Sequence, residues 1–135
     1  KHNLTSSLSS LDPDNSYLKL KAKLFGTTSK GMIIDTKTIE TTTLFSILEK
    51  ENIEDIDFLK IDTEGHELEV LQGMKEKINK VKHILVEFHI DEIYISYNPE
   101  FLHQFLISNN FELVKKFKFP FTTWEDRLYV NKSIN

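Results

Sequence analysis

At 135 residues the chain has the size of one ordinary domain, large enough to bury a core. Its 17 basic and 21 acidic residues leave a net charge of −4 with no sustained basic stripe, which argues against nucleic acid as a partner, and no apolar run reaches the roughly 20 residues that span a bilayer. With no cysteine, a disulfide framework and a thiolate metal site are both excluded, and a reducing, cytoplasmic setting is the expectation.

Residues 1–31 mix Ser, Thr, Asn and Asp around an apolar stretch at 17–25 and read as irregular structure with one strand. From Met32 to Thr43, Ile33, Ile34 and a Thr-rich run favour an extended segment, because β-branched side chains suit a pleated surface. Leu44, Phe45, Ile47 and Leu48 then fall at helical spacing behind Thr43, a capping residue, with Asn52 past the last turn. Residues 56–62, Ile-Asp-Phe-Leu-Lys-Ile-Asp, read as a strand. Leu68, Leu71, Met74 and Ile78 mark one face of the helix that follows, and Thr63, Glu64 and Glu67 sit at its start. The apolar run at 84–88, interrupted only by Glu87, has the pattern of a central strand buried on both faces. Asn98 and Pro99 open a third helix with Phe101, Leu102, Phe105 and Leu106 facing inward, stopped at Asn109-Asn110. Residues 111–117 and 127–130 are two strands, joined by a loop holding Pro120 and Trp124 and spaced for antiparallel pairing. The pattern is α/β: parallel strands with an antiparallel pair at the end.

The most informative block is Lys60-Ile-Asp-Thr-Glu-Gly-His-Glu-Leu-Glu-Val-Leu-Gln-Gly73, followed by Ile84-Leu-Val-Glu87. It resembles the signature of the FkbM methyltransferases, in which a strand ending Lys-Ile-Asp runs into Glu-Gly-x-Glu, then Val-Leu and Gly, and the next strand carries a Glu. The matching positions are Lys60, Asp62, Glu64, Gly65, Glu67, Val70, Leu71, Gly73 and Glu87. The resemblance implies a Rossmann-like class I fold with helices on both faces of a sheet of order 3-2-1-4-5-7-6, of which residues 1–135 supply strands 4 to 7. The family's Asp-x-Gly-Ala-Asn-x-Gly loop, which with an acidic residue on the next strand holds S-adenosylmethionine, has no counterpart among the glycines at 26, 31, 65 and 73. A single domain lacking its N-terminal cofactor-binding half is therefore expected, with the cofactor site incomplete. The open side of the strand at 56–62 should then be covered by that missing half, by residues 1–31 or by another copy of the chain, since an unpaired apolar edge invites aggregation.

The activity implied is methyl transfer from S-adenosylmethionine to the hydroxyl of a small molecule or sugar. Ligands of open α/β sheets bind beyond the carboxyl ends of the strands, where Asp62 projects. By the resemblance Asp62 lies near the methyl group and the acceptor, as a catalytic and cofactor-binding residue; the alternative is a helix cap. Glu64 is expected to share the acceptor site in a catalytic or substrate-binding role, or to answer the helix dipole. Lys60 holds an anionic substrate or neutralises the acids. His89, near the end of its strand, is the other candidate base, against a half-exposed packing histidine, and Glu87 is a supporting anchor. Glu67, Gly65 and Gly73 read as structural. His66-Glu67 begins like a zinc-binding His-Glu-x-x-His helix, but Val70 stands at the second ligand position. Asp62, Glu64, His66 and His89 have the ligand types for Mg or Mn, yet the FkbM pattern does not demand an ion and none is expected. Phe117, Phe119, Phe121 and Trp124 around Pro120 read as a lid over the sheet's end or a stacking surface. The competing readings are a non-catalytic half-domain acting through edge-strand association, and a metal-dependent hydrolase built on the acidic cluster.

Overall fold

The computed structural model describes residues 12, 14–28, 39–90 and 93–134. The strand expected within 17–25 is instead a helix, α1 (Ser16–Leu24). Its alternation of leucine or alanine with lysine imitates the period of a strand. The Asn15 side chain, however, accepts from the backbone N–H groups of Tyr17 and Leu18 and so starts a helix, in which Leu18 and Ala22, one turn apart, are the buried positions. The extended segment expected at 32–43 falls largely outside the described residues, and 39–43 form no strand.

Helix α2 (Leu44–Lys50) starts as expected, with Thr43 Oγ1 accepting from the Ser46 N–H at 3.2 Å, and Asn52 beyond it turns left-handed at φ 54°. Strand β1 (Ile56–Ile61) follows. The helix behind it is split: α3 (Glu67–Gln72) gives way at Gly73 to a 3-10 segment (Lys75–Lys80), with Lys75 at φ 52°. A Cβ on Gly73 would stand 3.1 Å from the Glu69 carbonyl oxygen, a tight contact with the preceding turn of α3, and 3.6 Å from Thr43 Cβ, an ordinary one. Leu71, Met74 and Ile78 still reach the core, as their spacing predicts.

Strand β2 (Val81–His89) starts three residues earlier than the apolar run indicates. Helix α4 (Pro99–Ser108) is opened by Asn98, whose Oδ1 accepts from the N–H groups of Glu100 and Phe101 at 2.9 and 3.2 Å. Leu102 and Leu106 are buried, but Phe101, expected inside, is 64% exposed. The last two strands are β3 (Phe111–Lys118) and β4 (Trp124–Asn131); Trp124 opens β4 rather than lying in the loop, because it pairs across the sheet with His89.

The strands form one sheet in the order β1-β2-β4-β3, with β1 parallel to β2 and β4 antiparallel to both of its neighbours. Along β2, Ile84, Val86 and Phe88 alternate with Leu85, Glu87 and His89 across the sheet. The first set packs with Ile61, Tyr129, Leu71 of α3 and Leu102 and Leu106 of α4 into the main core. The second set shares its face with Lys60 and Asp126, and both sets are largely buried, as a central strand requires. Among the described residues β1 has one hydrogen-bonded neighbour, β2, and its Phe58 is 55% exposed. No helix of the described residues is long and apolar enough to cross a membrane.

Candidate functional site

The carboxyl ends of the two parallel strands meet at the loop between β1 and α3. That loop is shaped by Glu67, which is fully buried: its Oε1 accepts from the Thr63 N–H (2.9 Å), the Thr63 hydroxyl (3.1 Å) and the Gly65 N–H (3.1 Å). Curling the backbone around one carboxylate oxygen puts Glu64 at φ 55° and Gly65 at φ 98°, two successive residues in the left-handed region. Glycine accepts that conformation freely, whereas at Glu64 it is strained, as backbone often is where function fixes a side chain. Glu67 is thus the latch of the loop.

Glu64 accepts a hydrogen bond from the Tyr94 hydroxyl through Oε2. Burial, and then Glu64 itself, push the Tyr94 phenol far above its usual pKa, so it stays a donor. Asp62 is different in kind. Its side chain is 48% exposed and stands 3.5 Å from the Lys60 ammonium; it does not cap α3, whose leading residue is His66. Lys60 is held more tightly by Asp126 at 2.9 Å. Burial works against the Lys60 charge, but Asp126, Asp62 and Glu87 outweigh it and raise its pKa.

Glu87 and His89 project beside this pair. His89 is buried rather than half-exposed, with Nε2 3.1 Å from Glu87 Oε2. Burial opposes the imidazolium, yet Glu87, followed by Glu67 and Glu64, lifts its pKa above the usual 6.5. The rings of Tyr94 and Tyr97 stand edge-on to it at 4.7 and 5.6 Å, and the Tyr97 hydroxyl accepts the His89 backbone N–H at 3.2 Å.

Of the residues singled out from sequence, then, Glu64, Glu87 and His89 converge, while Asp62 and Lys60 form an exposed pair alongside. Sequence reasoning missed Tyr94, Tyr97 and Asp126. Two tyrosines just past the end of a central strand, where ligands of such sheets bind, were the available signal; Asp126 had none, because only the β2–β4 register sets it opposite Glu87. Of the aromatic group, Phe119 and Trp124 pack at 4.9 Å, whereas Phe121 is fully exposed at φ 65°.

On the other face of β4 lies Glu125, 1% exposed, with Arg127 Nε at 2.7 Å, Lys118 at 3.5 Å and Lys116 at 3.7 Å. Arg127 lies over the Phe88 ring, 3.8 Å from its centroid. Burial pulls the Glu125 pKa up, but Arg127 and the two lysines hold it below the usual 4.5. A carboxyl with a depressed folded-state pKa contributes stability that is complete above its unfolded value and lost as pH falls through the folded one. Denaturant unfolding between pH 6 and about 2.5 should therefore show a steeper acid loss for the native chain than for Glu125→Gln. Parallel curves would remove Glu125 from the acid response.

An α/β sheet with acidic and hydroxyl-bearing side chains gathered beyond the ends of its parallel strands has the architecture of a ligand-binding or catalytic domain. The model of the methyltransferase FkbM domain matches residues 2–113, and the chain belongs to that family. It is 38% identical over 52 residues to the hexuronic acid methyltransferase AglP of Haloferax volcanii, a stretch that is 38% of this chain and 22% of that protein. No solved structure matches the chain.

Proposed function

We propose that these residues form the acceptor side of an S-adenosylmethionine-dependent O-methyltransferase acting on a small molecule or sugar. The observation that carries this reading is Asp62: in a chain of the FkbM family, a half-exposed carboxylate at the end of β1 with the Lys60 ammonium 3.5 Å away. The sheet order β1-β2-β4-β3, with the antiparallel strand third, is also the order of strands 4-5-7-6 in the class I fold and supports that assignment.

The fit to the cofactor is one-sided. Carboxylates at 62 and 64 suit hydroxyl and ammonium groups, but Gly65 and Gly73, the glycines beside this end of the sheet, serve a tight turn and the packing of a chain turn against the end of α3. In this reading the cofactor's cradle lies outside the described residues. When bound, S-adenosylmethionine supplies a methyl group on a sulfonium sulfur. The work of this chain is then to align the acceptor oxygen and accept its proton at Asp62, with Glu64 accepting a second hydrogen bond from the acceptor and His89 backing the carboxylate shelf through Glu87. Lys60 gives an anionic acceptor its counter-charge. A uronic sugar, the class named in the relative from H. volcanii, has both the hydroxyls and the carboxylate such a site addresses. The side of β1 that has no strand neighbour among the described residues is where the remainder of a class I sheet, or a second copy, would pair. A cytoplasmic location belongs to the same proposal.

The test is transfer of a labelled methyl group from S-adenosylmethionine to neutral and uronic sugars by a protein carrying these residues together with a glycine-rich cofactor loop. Label in an O-methyl uronic sugar is the expected result. Label in none of the acceptors counts against the proposal.

A further inference from the structure

We infer that Glu64, Glu87 and His89 make a binding site for one divalent cation of the Mn²⁺ or Zn²⁺ type at the carboxyl ends of β1 and β2. One oxygen from each carboxylate and one imidazole nitrogen lie within 4.8 Å of one another. Around an ion with bonds of about 2.0–2.3 Å, ligand atoms stand about 3–4.5 Å apart, so side-chain shifts of a few tenths of an ångström close the set.

Clustered acids alone would not mark a site. The independent observation is His89: it is 6% exposed, and its Nε2 is buried with no hydrogen-bond partner although it lies inside the cluster, 3.1 Å from Glu87 Oε2. That distance makes an ion pair, but the ring N–H does not point along it. Buried polar atoms in native structures nearly always have partners, and one without calls for a partner from outside the chain, which an ion that takes the place of the ring proton supplies. The charges agree. Glu64 and Glu87 face this one imidazole, while the nearby ammonium of Lys60 stands 2.9 Å from Asp126 and 3.5 Å from Asp62. Two carboxylates beside one buried ring are a charge arrangement that suits a divalent ion.

The surroundings have the form of a supporting layer. The Tyr94 hydroxyl holds Glu64 through Oε2, the Tyr97 hydroxyl holds the His89 backbone, and both rings set the imidazole plane. One nitrogen with two carboxylates selects Mn²⁺ or Zn²⁺ over Mg²⁺, which prefers oxygen ligands and water. Asp62 is not among the ligands, but Glu64, Glu87 and His89 also serve the acceptor side proposed above, so the inference is tested by metal binding, which does not depend on turnover.

Mn²⁺ is titrated into the 135-residue chain while free Mn²⁺ is followed by its electron paramagnetic resonance signal, with Zn²⁺ as competitor. One ion per chain is expected, with a dissociation constant of about 10–100 µM. His89→Gln and Glu64→Gln should each weaken binding about ten-fold or more. Glu54→Gln, which alters only an exposed ion pair with Lys77, should leave it unchanged. Circular dichroism reports whether each variant folds; should His89→Gln not fold, Glu64→Gln, on a partly exposed loop, decides. The assignment is overturned if the native chain shows no saturable binding up to about 1 mM, or if folded Glu64→Gln binds within about two-fold of it.

Discussion

Asp62→Asn is expected to lower turnover about 10²–10⁴-fold in an active FkbM protein carrying this chain, the usual scale for loss of a general base. Asparagine keeps the size of the side chain and one oxygen acceptor, but loses the charge and the ability to take a proton. The structure makes the test cleaner than the sequence allowed. Asp62 does not cap α3, its side chain is 48% exposed, and its contact with Lys60 at 3.5 Å is a surface pair, a class that contributes little to stability. The thermal transition of the variant should therefore match that of the native protein, so a fall in activity reports on chemistry and not on folding. Turnover within a few-fold of native would remove Asp62 from the mechanism. His89→Gln, measured in parallel, would then carry the question of the base.

Glu67→Ala should produce the largest loss of stability, about 3 kcal/mol or more, because it strands two backbone N–H groups and one hydroxyl that now converge on a single buried oxygen. For a domain of this size that corresponds to a fall of roughly 10 °C in the midpoint of thermal unfolding. The conservative change separates the latch from mere charge. Glu67 Oε1 carries all three bonds and Oε2 carries none, so Glu67→Gln retains the acceptor that matters and should stay within about 1 kcal/mol of native. Equal losses for Ala and Gln would show that the negative charge, and not the geometry of the turn, holds the loop between β1 and α3.

These two side chains mark the boundary between what the residues announce and what the fold arranges. The sequence by itself determined the strand at 56–61, the central strand through Glu87 and the helix behind Asn98-Pro99, because each rests on local causes: hydrophobic period, β-branching and a side-chain cap. It also determined the family, because Lys60-Ile-Asp62 and the Glu-Gly-x-Glu that follows are contiguous along the chain. It misled at α1, where alternating lysines obey the strand period while Asn15 and the burial of Leu18 and Ala22 dictate a helix. It also misled at Phe101, whose helical spacing points inward although Leu102 and Leu106 occupy the buried face. Only the tertiary structure decided which acids belong together. Glu64 is brought to Glu87 and His89 by the parallel pairing of β1 with β2, it meets the hydroxyl of Tyr94 from beyond the end of β2, and Asp126 reaches Lys60 across 66 residues of sequence. Long-range register and burial set those distances, and neither is encoded in the spacing of residues along a single element.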